Sequence, residues 1–256
     1  MARPTRSLKY EYQLYVEEEI ENYKESIPRS VLLGIGDEAV AALCDQPQLA
    51  LTELLLAQEV DRLIFRRLGL PSYESWRRRR LKLLREMRRP EHWGLRPDDV
   101  LVRTLQPAND AHVLVAGATA AVPMLYLVAN GCEVTALSEE EEVLQRVLSL
   151  AASVGLAERV HAYRADWVGW TPASTLDAVI VTPSALAGLS TSQRAHVIKL
   201  LQGATAEGGI HLVETATVTA KALTFRELSN RYKGWAVSVE RAATGAELFL
   251  ARKEVS

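Results

Sequence analysis

The chain has 256 residues, an apolar fraction of 48% and a formal net charge of −2. That length accommodates one large domain or two modest ones, and the apolar content supports a packed core and excludes a disordered chain. Near-neutral charge excludes a global pull toward nucleic acid or membrane. Two cysteines, Cys44 and Cys132, make neither a disulfide framework nor a metal cluster, so a reducing compartment is expected.

The first residues, MARPTRSLKYEY, lack an apolar signal region, and no run of about eighteen apolar residues exists to span a bilayer. A soluble cytoplasmic protein is the expectation. Tyr12, Tyr15, Val16, Ile20 and Tyr23 recur at helical spacing, with Glu17, Glu18, Glu19 and Glu21 mostly on the other side. Ser26 is the predicted N-cap ahead of Ile27-Pro28. Residues 31–43 continue as a helix, interrupted or bent near Gly34 and Gly36. A further helix is predicted over 49–68, with Leu54, Leu55, Val60, Leu63 and Ile64 as its buried stripe, broken by Gly69-Leu70-Pro71-Ser72.

The last helix of this part, 76–89, stops at Pro90. Arg77, Arg78, Arg79, Arg80, Lys82, Arg85, Arg88 and Arg89 are opposed only by Glu74 and Glu86, while Trp76, Leu83, Leu84 and Met87 supply an apolar stripe. A basic amphipathic helix binds phosphate backbones or an anionic partner. A charge run is more often solvated or paired internally, here with the upstream acids from Glu11 to Glu38. Arg77, Arg78, Lys82 and Arg85 are the candidate nucleic-acid contacts, and a protein partner or homo-oligomer is expected.

Turn-rich segments at 96–99 and 106–110 bracket the apolar stretch 100–105. This is the expected joint between an all-helical region, 1–96, and an α/β domain, 97–256. His112 to Glu139 reads as strand, tight turn, helix, strand. Val113, Leu114, Val115 and Ala116 form an unbroken apolar run, as a parallel strand buried on both faces does. Gly117 punctuates it, a helix follows over 120–129, and Asn130-Gly131 ends that helix before a second strand at 133–137. Next come a helix (140–154), a third strand (160–164) and a fourth (176–181). A helix over 191–201, capped by Ser190 or Thr191, precedes a Gly208-Gly209 turn into a fifth strand at 210–214. A helix over 220–232 and two closing strands, 236–241 and 247–252, complete the chain; the last two make a hairpin.

Strand–helix alternation ending in an antiparallel hairpin resembles the class I S-adenosylmethionine-dependent methyltransferase superfamily, over roughly residues 100–253. Gly155-Leu156, Arg159-Val160, Asp166, Leu176-Asp177-Ala178-Val179 and Glu207-Gly208-Gly209-Ile210 carry the resemblance. Phe225-Arg226-Glu227-Leu228, Tyr232 and Trp235 resemble the small-substrate branch that includes tellurite-resistance methyltransferases, or form a helix packed on the sheet. The implied fold is a Rossmann-like, seven-stranded α/β sheet with a C-terminal antiparallel hairpin, preceded by the helical region. A dinucleotide-binding protein is the rival, since VLVAGATAAV resembles a short-chain dehydrogenase turn. That pattern wants glycines near Ala120 and Pro123, and neither is present.

The resemblance implies S-adenosylmethionine as cofactor. Family members carry an acid late in the first strand, where Val115 stands, and then a Gly-x-Gly-x-Gly turn. Gly117 matches the first glycine; Thr119 and Ala121 stand at the others. Ser138 occupies the place of the ribose-binding acid, with Glu139 one residue on, and Asp166 matches the acid beside the adenine. Gly117, Thr119, Ser138, Glu139 and Asp166 are thus the candidate cofactor residues. No catalytic constellation emerges. Thr182-Pro183-Ser184 lies where amino-methylating relatives carry a polar residue, two prolines and an aromatic. The five histidines lack metal-binding spacing, those at 112, 161 and 211 read as structural, and no metal is expected. Trp167 and Trp170 read as core packing. The leading expectation is a methyltransferase-fold protein that has lost catalysis and acts as a binding or assembly subunit. The alternative is an active methyltransferase with an atypical pocket, using Glu139 and Asp166 on the cofactor and the N-terminal helices as a lid.

Overall fold

The computed structural model describes residues 7–44, 53–105, 110–117, 121–164, 167, 169–186, 188–215, 224–241 and 247–255. The chain divides into two compact units, Met1–Leu83 and Leu84–Ser256.

The first unit is helical: α1 (Leu8–Ser26), α2 (Arg29–Cys44), α3 (Glu53–Leu68) and most of α4 (Tyr73–Met87). Ser7 caps α1 by accepting from the Tyr10 N–H. Ser26 does not cap α2. Its hydroxyl donates to the Tyr23 carbonyl at 2.8 Å, and the Ile27 N–H donates to the same carbonyl at 3.2 Å, so both close the end of α1. Gly34 and Gly36 leave α2 unbroken. Ile20, Ile35 and Ile64 are buried together, with Val16, Val60 and Leu63 packed around them. Ion pairs stitch the helices: Arg67 to Glu38, Lys24 to Asp61 at 2.7 Å, and Arg80 to Glu11 at 3.2 Å. Tyr12 stacks obliquely on Tyr73 and Trp76, with ring centroids 5.4 and 5.5 Å away.

In the second unit a short helix, α5 (Val100–Thr104), precedes β1 (His112–Ala116), α6 (Ala121–Ala129), β2 (Glu133–Ser138), α7 (Glu141–Ser153) and β3 (Val160–Arg164). Then follow β4 (Leu176–Val181), α8 (Pro183–Leu186), α9 (Thr191–Ala204), β5 (Thr205–Thr215), α10 (Phe225–Arg231), β6 (Trp235–Arg241) and β7 (Glu247–Lys253). The seven strands lie in the order β3-β2-β1-β4-β5-β7-β6. β1 to β5 are parallel, and β7 runs antiparallel to β5 and to β6.

The unbroken apolar run of β1 is explained by cover on both sides. Val113 and Val115 point into one core layer with Leu125 and Leu127 of α6 and Leu144 of α7. Leu114 and Ala116 point into the other, with Val197 and Leu201 of α9 and Leu228 of α10. α9 starts with a reciprocal cap between Ser190 and Gln193.

β5 is longer than the predicted 210–214. It starts at Thr205, directly after α9, and Gly208-Gly209 lie within it at a register shift against β4 rather than in a turn before it. A Cβ on Gly209 would overlap the Thr205 methyl and sit 3.1 Å from the Asp177 carbonyl, so backbone approach requires glycine there. α10 is described only from Phe225; of its predicted range, residues 220–223 lie outside the described residues. Leu228 and Tyr232 are buried against the sheet and Trp235 packs against Tyr232, so this segment packs as a core layer.

A polar chain crosses that layer. His211 is fully buried; its Nε2 lies 2.7 Å from Thr205 Oγ1 and its Nδ1 2.7 Å from the Tyr232 hydroxyl. Thr205 Oγ1 donates to the Leu201 carbonyl at 2.6 Å. The directions close if His211 is neutral: Tyr232 donates to Nδ1, and Nε2–H donates to Thr205. Burial, helped by the Lys253 charge, pushes His211 down to about 3, and burial pushes Tyr232 up.

Candidate functional site

Strand order reverses between β1 and β4, so the chain leaves adjacent strands in opposite directions and opens a crevice at their carboxyl ends. Gly117 leaves β1 with φ +112° and donates its N–H to the Leu137 carbonyl at 3.4 Å. Thr182, the first residue after β4, crosses over it. Its N–H and its Oγ1 donate to the Ala116 carbonyl at 2.9 and 3.2 Å, and Oγ1 accepts from Ser184 Oγ at 3.0 Å. A Cβ on Gly117 would overlap the Thr182 hydroxyl and lie 3.1 Å from Ser184 Oγ.

Beside this crossing lies a cleft of about 100 Å3, lined by Gly117, Ser138, Glu139, Trp167, Ser184 and Leu189 among others. Three of the five candidate cofactor residues, Gly117, Ser138 and Glu139, therefore share one wall. Thr119 and Asp166 lie outside the described residues. Ser138 Oγ accepts from the Glu140 N–H at 3.1 Å, which ties it to the turn into α7. Glu139 and Glu140 give the rim an acidic edge, and Glu141 and Glu142 follow in the first turn of α7. Val115 is buried in the α6–α7 layer.

Trp167 is buried and meets Trp170 edge-on at 6.4 Å, as core packing. His161 contacts Glu133 at 3.1 Å and His112 faces Ser174 at 3.5 Å, both outside the cleft. Cys132 is buried, and that burial pushes its thiol up to about 11, which leaves it protonated and unreactive. Among the described residues, no cluster of His, Cys, Asp and Glu side chains has the makings of a metal site, and no helix is long and apolar enough to cross a membrane.

Sequence reasoning placed Thr182 and Ser184 after β4 but missed that they cover Gly117. The available signal was the pairing of β1 with β4, which brings the residues following both strands together.

No family model matches the chain. No curated protein matches it in sequence. Solved structures do match in fold. TehB from Haemophilus influenzae superposes with a TM-score of 0.51 at 20% identity, over 60% of this chain and 61% of that one. A Nostoc punctiforme PCC 73102 protein assigned to the O-methyltransferases superposes with a TM-score of 0.52 at 14% identity, over 67% of this chain and 60% of that one. The chain thus spans less than two thirds of either relative. At such identities the likeness concerns fold. This chain has the class I S-adenosylmethionine-dependent methyltransferase fold, as the resemblance in its sequence implied.

Proposed function

We propose that this is a methyltransferase-fold protein that binds and assembles rather than transferring methyl groups. The observation that carries the reading is Thr182: its hydroxyl stands where a Cβ on Gly117 would begin, at the turn that the resemblance implies is kept bare for the methionine end of the cofactor. Thr119 and Ala121 add side chains where two further glycines belong. Ser138 replaces the ribose-gripping acid, and its oxygen already accepts from the Glu140 N–H. Each lost hydrogen bond to a charged acceptor weakens binding by about 1.5–3 kcal/mol, roughly ten- to a hundredfold. The cleft of about 100 Å3 is also small beside ligand pockets of roughly 300–1,000 Å3. The described residues therefore fit S-adenosylmethionine poorly.

The partner-facing element in this reading is α4. Arg77, Arg78, Lys82 and Arg85 are exposed, and among the described residues none has a carboxylate partner, whereas Arg80 is paired with Glu11. Arg78, Lys82 and Arg85 are spaced to fall on one side of the helix, facing an acidic protein surface, a second copy or a nucleic-acid backbone. The cysteine content supports a reducing, cytoplasmic setting.

One observation favours a second reading, a methyltransferase with an atypical pocket acting on a small acceptor. Gly117, Ser138 and Glu139 line one cleft at the strand ends. In this reading Glu139 would hold the ribose, and the resemblance assigns the adenine to Asp166. The O-methyltransferase assignment of the Nostoc relative is in keeping with it. Calorimetry with S-adenosylmethionine and S-adenosylhomocysteine separates the two. We expect no heat at millimolar ligand. Micromolar affinity, abolished by Asp166→Ala, would establish the second reading instead.

A further inference from the structure

A second cavity, of about 170 Å3, opens on the other flank of Thr182. Leu101 of α5, Pro123 of α6, Ile180 of β4, Leu212 of β5 and Leu248 of β7 form an almost wholly apolar wall. The strand pleat explains the Glu214 carboxylate at its mouth. Leu212 and Glu214 are two residues apart on β5, so they face the same side; Leu212 is buried in the core and Glu214 stands one step nearer the strand end.

Glu214 is half-buried, and among the described residues it has no hydrogen-bond or ion-pair partner. A carboxylate at the mouth of an apolar hollow favours a cation beside it. Asp99 lines the same cavity, but its Oδ2 already accepts from the Arg96 N–H at 3.0 Å. The cavity is thus a hydrophobic hollow with one carboxylate that lacks a counter-charge among the described residues and a second beside it.

We propose that this cavity binds a small hydrophobic amine, its apolar body of about six to eight carbons seated against Leu101, Ile180, Leu212 and Leu248 and its ammonium group held by Glu214. The size follows from the volume: an apolar hollow of roughly 150 Å3 accommodates a benzene ring. The sign follows from the carboxylates. Neutral alcohols of the same shape lose the charge-assisted hydrogen bond, and carboxylic acids meet repulsion. The site goes beyond the binding-subunit reading and does not rest on it, because no wall of the cavity needs a cofactor.

The test is calorimetry on the full chain, with no cofactor added, using benzylamine, benzyl alcohol and benzoate as probes. Benzylamine is expected to bind at least about tenfold more tightly than benzyl alcohol, and benzoate not at all. Glu214→Gln keeps the shape and should erase the preference for the amine. Leu101→Trp fills the hollow and should abolish binding, with methyl resonances checking that the core stays folded. The proposal is overturned if the wild-type chain binds benzylamine no better than benzyl alcohol. It is equally overturned if Glu214→Gln leaves the amine's affinity unchanged. Because S-adenosylmethionine is absent throughout, neither result depends on how that ligand behaves.

Discussion

Thr182 Oγ1 stands where a side chain on Gly117 would begin. The two residues are far apart in sequence and meet because β1 and β4 pair in parallel, Ala116 opposite Val181. Gly117→Ala therefore faces two costs, a φ of +112° that L residues resist and an overlap with the Thr182 hydroxyl. A loss of about 2–4 kcal/mol is expected. Removing the hydroxyl relieves only the overlap, so Thr182→Ala combined with Gly117→Ala should cost less than the sum of the single changes. Urea unfolding of the four proteins measures this coupling. Strict additivity would show that the two side-chain positions do not compete.

Ser138→Asp puts a carboxylate back where the superfamily grips the ribose. With Ser138 facing the same cleft as Gly117, affinity for S-adenosylhomocysteine should rise about ten- to a hundredfold, so that the variant gives heat at millimolar ligand where the wild-type chain gives none. Direct calorimetry on both proteins reads the change. Unchanged or weaker binding would remove Ser138 from the candidate nucleoside wall.

His211 makes stability depend on pH. Its folded pKa, pushed down to about 3 by burial, lies well below the ordinary value near 6.5. The unfolded chain therefore binds the extra proton first. The contribution of neutral His211 is fully present above about pH 6.5 and is lost as pH falls toward the folded value, at up to about 1.4 kcal/mol per pH unit. His211→Gln can keep both hydrogen bonds and does not titrate. Denaturation midpoints at pH 7.5 and about pH 4.5 should converge for that variant relative to wild type. Parallel pH profiles would mean that His211 is not the responsible group.

Arg78→Glu with Lys82→Glu should leave the fold intact, since both side chains are exposed, and should lower the salt needed to elute the protein from a polyanionic heparin matrix. If the elution salt is the same for both proteins, α4 is a solvated face and its charge serves solubility.

Much of the local structure was legible from residue patterns. The apolar run Val113–Ala116, the helix after β2 and the cap at Ser190, one of the two residues expected there, each depend on neighbours within a few residues, so spacing reveals them. Gly117, Ser138 and Glu139 were named from the family resemblance rather than from pattern, and each sits at or just beyond the end of a strand that the pattern marks. The limits of local reading appear at β5, where Gly208-Gly209 looked like a turn and lies instead inside a strand held by β4 and β7. Ser26 is similar: its type suits an N-cap, but its hydroxyl donates back to the Tyr23 carbonyl at the end of α1.

What the sequence by itself determined is the succession of strands and helices and the side-chain types at their ends, because hydrophobic period and turn chemistry act over short spans of chain. Tertiary structure alone decided that Thr182 covers Gly117, that His211 lies between Thr205 and Tyr232, and that Glu214 crowns an apolar hollow. Those contacts follow from strand order and register, which are set by which faces can be buried together across the whole sheet.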